Sequence, residues 1–337
     1  MNVLSNFRKR CSKFRPFIFK KKGKIRLAGL ADDKLMYLAM MAFVLVSTTT
    51  FVMVSETRRS QVKGIQKILW ERKEKEHPPI PILPRSYQSF PVVSAQATLI
   101  IDLDSGTALY EKNPDARLLP ASTTKIVTAL VAMDYYNDED VLVVNGGSIV
   151  GRKMGLYKGE EISAGSLLKG LLIYSANDAA EVLAENYEGG REVFIDAMNE
   201  KARELSLNNS YFENPTGYDG NGHVSTARDL IRVAEVAMRN PKFAGIVGKE
   251  SEEVTNVDGT IVHHLSTTNA LLGEVEGVLG VKTGWTENAR ENLVTYIEKD
   301  GRRLMIAMLG SQDRFGETKE LINWIFENYS WEEVGSP

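Results

Sequence analysis

The chain has 337 residues, 43% hydrophobic and 25% charged, a globular balance with room for one large or two medium domains. Its single cysteine, Cys11, excludes an intramolecular disulfide and a thiolate metal cluster. Its four histidines offer no helical two-His pairing, so neither a metal nor a cofactor is expected.

The net charge of −3 conceals an asymmetry, because ten Lys and Arg fall between Arg8 and Arg26 before the first acids, Asp32 and Asp33. Residues 35–54 carry no charge, and at about 1.5 Å per residue they are long enough to cross a hydrocarbon core of about 30 Å. The segment ends without an Ala-x-Ala pattern, which argues against a cleaved signal peptide. The expectation is a basic cytoplasmic tail over 1–34, an uncleaved single-pass anchor over 35–54, and all that follows outside the membrane. The basic run is read as attracted to anionic lipid, and nucleic acid is not an expected partner. Residues 55–90 are a charged juxtamembrane stalk ending in a Pro-rich stretch, His77 to Pro84, expected to be an extended spacer.

A folded domain is expected over 91–330, with 331–337 as a tail. Ala97 to Leu103 and Thr107 to Glu111 read as strands around the turn Asp104-Ser105-Gly106. A helix then starts near Pro120, which suits a first turn because it lacks an N–H, and Ile126, Val127, Leu130 and Val131 give it an apolar stripe. Ser122 and Lys125 lie one turn apart on it, a hydroxyl beside an amine at a helix N-terminus. The pair alone is not diagnostic, since the spacing recurs at Ser60/Lys63 and Ser166/Lys169. Helices follow over 164–173, 179–187 and 192–205. Asn214 to Gly222 is turn chemistry, Ser225 is read as the cap of a helix closed by Asn240-Pro241, Asp258-Gly259 and Asp300-Gly301 mark hairpins, and a last helix covers about 317–328. Strands at both ends with helices between predict an α+β domain, an antiparallel sheet flanked by helices.

Three short elements occur in order: Ser122-Thr123-Thr124-Lys125, Ser175-Ala176-Asn177 and Lys282-Thr283-Gly284. This is the triplet of β-lactamases and penicillin-binding proteins. The text around it, Leu172 to Ala180, Phe212 to Gly217, His223 to Asp229 and Val281 to Thr286, resembles the low-molecular-mass penicillin-binding proteins, the serine D-alanyl-D-alanine carboxypeptidases, over about residues 90–330. The resemblance implies the β-lactamase/transpeptidase-like fold with a helical subdomain, a peptidoglycan stem peptide as substrate and β-lactams as covalent inhibitors.

A serine hydroxyl needs a base, and with no Ser-His-Asp arrangement in view the base is an amine. Holding Lys125 neutral near pH 7 costs about 4–5 kcal/mol against its ordinary pKa near 10.4, and burial together with a second cation, Lys282, supplies the push. By the resemblance, Ser175 relays a proton to the leaving amine, Asn177 aligns the side chains and the substrate amide, and the N–H groups of Ser122 and Trp285 form the oxyanion hole. Thr283 and Gly284 belong to the substrate strand, Thr283 bonding the peptide's terminal carboxylate. Arg314, in Asp313 to Lys319, is the candidate cation for that carboxylate. His223 is read as a supporting loop residue. Where the family often has Ala-Gly after the third element, this chain has Ala289-Arg290, expected to reshape the site edge. The readings that compete are an endopeptidase of the same machinery, a β-lactamase using Glu213 to activate water, and a penicillin-binding sensor without turnover.

Overall fold

The computed structural model describes Met41, residues 78–86 and residues 88–333. The expected tail over 1–34, the anchor over 35–54 and the stalk up to residue 77 lie outside the described residues, Met41 apart. Among the described residues no helix is long and apolar enough to cross a membrane.

The chain opens with β1 (Ile80–Ile82), β2 (Ala97–Asp102) and β3 (Ala108–Lys112), then a 3-10 turn (Ala121–Thr124) that runs directly into α1 (Lys125–Tyr135). A small hairpin, β4 (Val141–Val143) and β5 (Glu161–Ser163), precedes α2 (Ala164–Leu172), α3 (Asn177–Glu185) and α4 (Gly190–Glu204). After α5 (Ala227–Met238) and α6 (Pro241–Val247) comes a hairpin of β6 (Ser251–Thr255) and β7 (Val262–Ser266). The chain then returns through β8 (Val278–Thr286), β9 (Arg290–Lys299), β10 (Arg302–Ser311), α7 (Arg314–Asn328) and β11 (Ser330–Glu332).

The main sheet is antiparallel with strand order β3-β2-β10-β9-β8, so among the described residues β8 pairs on one side only. Alternation along β10 shows why it has two covered faces. Met305, Ala307 and Leu309 join the core shared with α1 and α5, whereas Leu304, Ile306 and Met308 pack with Leu321, Ile322 and Ile325 of α7. Helices α1 to α4 form the helical lobe on the first side, with Leu167, Leu168 and Leu171 of α2 and Phe194 and Met198 of α4 fully buried. The β9–β10 connection is the expected Asp300-Gly301 turn, with both residues at positive φ (52° and 69°), as a tight hairpin of this hand requires.

Four expectations are redrawn. Ile80–Ile82 is a strand, antiparallel to Ser330–Glu332, so the middle of the Pro-rich stretch and the first two residues of the expected tail belong to the fold. Aromatic packing secures that seam: Phe90 lies 4.0 Å from Trp324, Trp331 stacks on Phe326 at 5.9 Å, and Trp331 Nε1 donates to Asp102 at 2.8 Å. Thr226, not Ser225, caps α5, its side chain accepting from Asp229 N–H. Asn240-Pro241 closes α5 but also opens α6, where Asn240 caps and Pro241 occupies the first turn. The final helix likewise begins earlier than expected, at Arg314, capped by Asp313.

Arg290 opens β9 with φ 58°, a left-handed conformation that glycine adopts without penalty and a Cβ opposes. Its side chain is exposed, so no packing offsets that strain. Arg290→Gly is expected to stabilise the domain by about 1 kcal/mol after the glycine's entropy is allowed for, raising Tm by roughly 2–4 °C. An unchanged or lower melting temperature would show that the turn is not strained.

Candidate active site

The nucleophile turn is fixed before any chemistry is considered. Thr123 Oγ1 donates to Pro120 O at 2.7 Å, and the fully buried Asn292 of β9 donates to Leu119 O at 2.9 Å while accepting Gly310 N–H at 2.8 Å. On the far side, Thr124 Oγ1 lies 2.8 Å from Nε2 of His223. His223 Nδ1 accepts Glu213 N–H at 3.0 Å, which leaves the proton on Nε2 for Thr124. Burial lowers the His223 pKa to about 4, with the Lys125 charge in the same direction and Asp219 opposing, so the imidazole is neutral. It supports the loop, as read from the sequence.

Lys125 leaves the first turn of α1 with no solvent exposure. Its Nζ lies 2.8 Å from Ser122 Oγ, 2.7 Å from Asn177 Oδ1 and 2.6 Å from Thr216 O. Burial brings its pKa down to about 7 against the pull of Glu181 and Asp178. The carbonyl of Thr216 is offered by a tight loop in which Asn214 Oδ1 accepts the N–H groups of Thr216, Gly217 and Tyr218 at 2.8–3.2 Å. Thr128 Oγ1, one turn beyond Lys125, donates to Pro215 O at 2.7 Å and pins the loop to α1.

Ser175 and Asn177 sit at the break between α2 and α3. Ser175 is left-handed, with φ 64°, a strained state for a residue with a Cβ. Lys282 Nζ on β8 is 2.8 Å from Ser175 Oγ and 3.0 Å from Thr283 O. Burial holds Lys282 well below the ordinary lysine value, and the neighbouring Lys125, Arg314 and Arg152 push the same way. Two amines and two hydroxyls therefore alternate across one site. Asn177 bridges its walls, donating Nδ2 to Val150 O at 2.6 Å while Oδ1 faces Lys125.

Thr283 is buried, its Oγ1 2.6 Å from Thr268 Oγ1. Gly284 is required by contact: a Cβ there would lie 3.0 Å from Pro120 O and 3.1 Å from Ser122 N. Gly217 meets the same turn more severely, its Cβ falling 1.9 Å from Ala121 O. Arg314, the first residue of α7, donates Nη1 to Gly284 O at 2.8 Å, while its Nε is buried without a hydrogen-bond partner.

Ser122, Ser175, Asn177, Thr283, Gly284, Trp285 and Arg314 line one cleft of about 500 Å³, with Lys125 and Lys282 buried beneath it. Trp285 is 62% exposed at the rim. Every site residue expected from the sequence is thus brought together. Arg290 does not line the cleft, so the expected reshaping of its edge is not seen. Glu213 is not a lining residue either, and its Oε1 accepts Gly222 N–H at 3.0 Å. Among the described residues the carboxylates that line the cleft are Asp219 and Glu287, and Asp219 is engaged by Thr286 and Asn288. Thr216, Thr268 and Arg152 went unnoticed in the sequence. Thr216 acts through its carbonyl, which no residue type signals, and Arg152 has no motif around it.

Comparison with known proteins agrees with this geometry. Residues 85–313 match the family model described as D-alanyl-D-alanine carboxypeptidase, peptidase S11. The chain is 33% identical over 248 residues to D-alanyl-D-alanine carboxypeptidase DacF of Bacillus subtilis, covering 70% of this chain and 63% of that protein. It is 34% identical over 252 residues to DacB2 of Mycobacterium tuberculosis, covering 72% and 86%. The crystal structure of D-alanyl-D-alanine carboxypeptidase from M. tuberculosis H37Rv superposes with a TM-score of 0.68 at 33% identity, covering 76% of this chain and all of that one. With its buried Lys125 against Ser122 and its Lys282 against Ser175, the chain belongs to the S11 family of serine D-alanyl-D-alanine carboxypeptidases.

Proposed function

We propose that this protein removes the terminal D-Ala from peptidoglycan stem peptides through a Ser122 acyl-enzyme, working outside the membrane from an N-terminal anchor over 35–54. The observation that carries the chemistry is Lys125 Nζ, buried and 2.8 Å from Ser122 Oγ. The anchor rests on the uncharged run and the ten cations before it.

In the acylation step neutral Lys125 takes the Ser122 proton as Oγ attacks the carbonyl carbon of the penultimate residue. The N–H groups of Ser122 and Trp285 hold the developing oxyanion. The proton taken by Lys125 passes through Ser175, held by Lys282, to the departing amine, which leaves Lys125 neutral again, and D-Ala departs with its carboxylate on Thr283 and Arg314. Water then attacks the ester and gives its proton to Lys125, which returns it to Ser122. No carboxylate is hydrogen-bonded to Ser122 or Lys125 among the described residues, which favours this reading over a β-lactamase that activates water with Glu213.

Incubation with a stem pentapeptide ending in D-Ala-D-Ala should give the tetrapeptide and free D-Ala by mass. Ser122→Ala should abolish both that product and covalent labelling by a penicillin; labelling at the wild-type level would refute the assignment. Rapid turnover of penicillin with no action on the peptide would favour the β-lactamase.

Because Lys125 must be neutral to act and its pKa lies near 7, the acylation rate should rise with pH up to about 7 and then level off. Below that value it should fall about tenfold per pH unit. A flat profile between pH 5 and 8 would exclude Lys125 as the base.

Arg314→Ala removes one partner of a charge-assisted hydrogen bond, an effect of about 1.5–3 kcal/mol, or roughly 10- to 150-fold in kcat/KM. The loss should appear on a free-acid peptide and be small on its C-terminal amide. Turnover of the free acid at the wild-type rate would reduce Arg314 to a structural role.

A further inference from the structure

The cleft has two walls, and only the sheet wall has been given a carboxylate-binding function. The opposite wall is the connection between β4 and β5, from which Val150, Gly151 and Arg152 line the same cavity as Ser122 and Arg314. This loop is firmly held around Arg152. Asn177 N–H donates to Arg152 O at 2.7 Å, and the Asp178 carboxylate accepts the N–H groups of Met154, Gly155 and Leu156 at 2.9–3.2 Å. Further along, buried His263 lies 3.2 Å from Met154 O through Nδ1 and 2.7 Å from Glu160 through Nε2.

The Arg152 guanidinium lies over the ring of Tyr174, 5.1 Å from its centroid, directly before Ser175 in the chain. No ion pair engages it among the described residues, whereas Arg191, Arg203, Arg228, Arg239 and Arg303 each hold a carboxylate. Instead it stands close enough to Lys282 and Arg314 that its charge disfavours the protonated form of both. Arg152 is exposed, so water solvates it in the open cleft, and an anion entering between it, Lys282 and Arg314 meets the combined positive potential of all three. Arg314 also retains donor capacity, since one nitrogen bonds Gly284 O and Nε is unpartnered.

We infer that Arg152 is a second substrate-binding arginine, and that the carboxylate of the leaving residue is held between Arg152 on the loop wall and Arg314 with Thr283 on the sheet wall. The Tyr174 ring supports the guanidinium through a cation–π contact, and the two cations select leaving residues that carry a free α-carboxylate. The inference rests on the carboxypeptidase reading for the identity of the leaving residue, and on the cleft alone for its negative charge.

The test uses the full chain and two matched pairs of probes: the D-Ala-D-Ala peptide as free acid and as C-terminal amide, and a labelled penicillin as free acid and as carboxylate methyl ester. Arg152→Ala should lower kcat/KM on the free-acid peptide by roughly tenfold, mainly through KM, and change the amide by less than about twofold. Arg152→Lys should restore part of the loss, because the charge remains but the two-pronged guanidinium does not. Equal losses on acid and amide would overturn the inference, since the residue would then only support the loop. No loss on either would overturn it as well. If the wild type releases no D-Ala, the carboxypeptidase reading fails, and the penicillin pair decides on Arg152 alone. Slower acylation confined to the free acid then supports the second arginine, and equal slowing of acid and ester, or none, refutes it.

Discussion

The burial of one amine is the constraint on which the site depends. Lys125 has no exposure, three oxygen partners within 2.8 Å and a pKa near 7. An ammonium there would be well solvated by its partners but poorly by its surroundings, and desolvation decides the balance. The result is an amine that exchanges its proton near neutral pH. Moving Lys125 to the surface would restore an ordinary lysine and remove the base without deleting it.

The fold can be understood as the means of keeping that amine dry and aligned. Ser122 and Lys125 come from one turn, Asn177 and Ser175 from the break between α2 and α3, Thr216 from an Asn-organised loop, and Lys282 from β8. These segments lie far apart in the chain, and their relative placement rests on the core shared by the sheet and the helical lobe together with tethers such as Thr128 to Pro215 O. The left-handed Ser175 is local strain of about 1–3 kcal/mol, offset by the surrounding lobes. Asn292 illustrates the coupling: one buried amide joins β9, the segment before the nucleophile and Gly310.

What was legible in the sequence follows from the range over which each signal acts. One turn brings Ser122 and Lys125 together whatever the fold, but the same spacing recurs elsewhere, and it is the order of three motifs that singles out this pair along with Ser175, Asn177 and Lys282. Arg314 is read through resemblance to a family. Short strands were harder. Ile80–Ile82 has Pro81 at its centre and its partner at the other end of the domain, so it reads as a spacer until Ser330–Glu332 is beside it. Helix α6 was missed because Asn240-Pro241 both stops one helix and starts another. Carbonyl ligands such as Thr216 O carry no side-chain signature, and Arg152 gains meaning only from the cations facing it. The membrane anchor belongs to a part of the chain outside the described residues and remains a proposal from charge and hydropathy.

One feature of the sheet reaches further. Among the described residues, the strand carrying Lys282, Thr283 and Gly284 is bonded to β9 on one side and to no strand on the other. Such an edge is ordinarily a hazard, because it is a template for another chain and invites aggregation. Here the template lies beside the nucleophile, so an extended peptide that added to it as a further strand would be aligned by its backbone before its side chains are read. Register, and hence which amide faces Ser122, would then be a property of β-pairing. By the same geometry, any extended segment able to complete the sheet would compete with such a peptide, including a stray loop or strand from a neighbouring molecule.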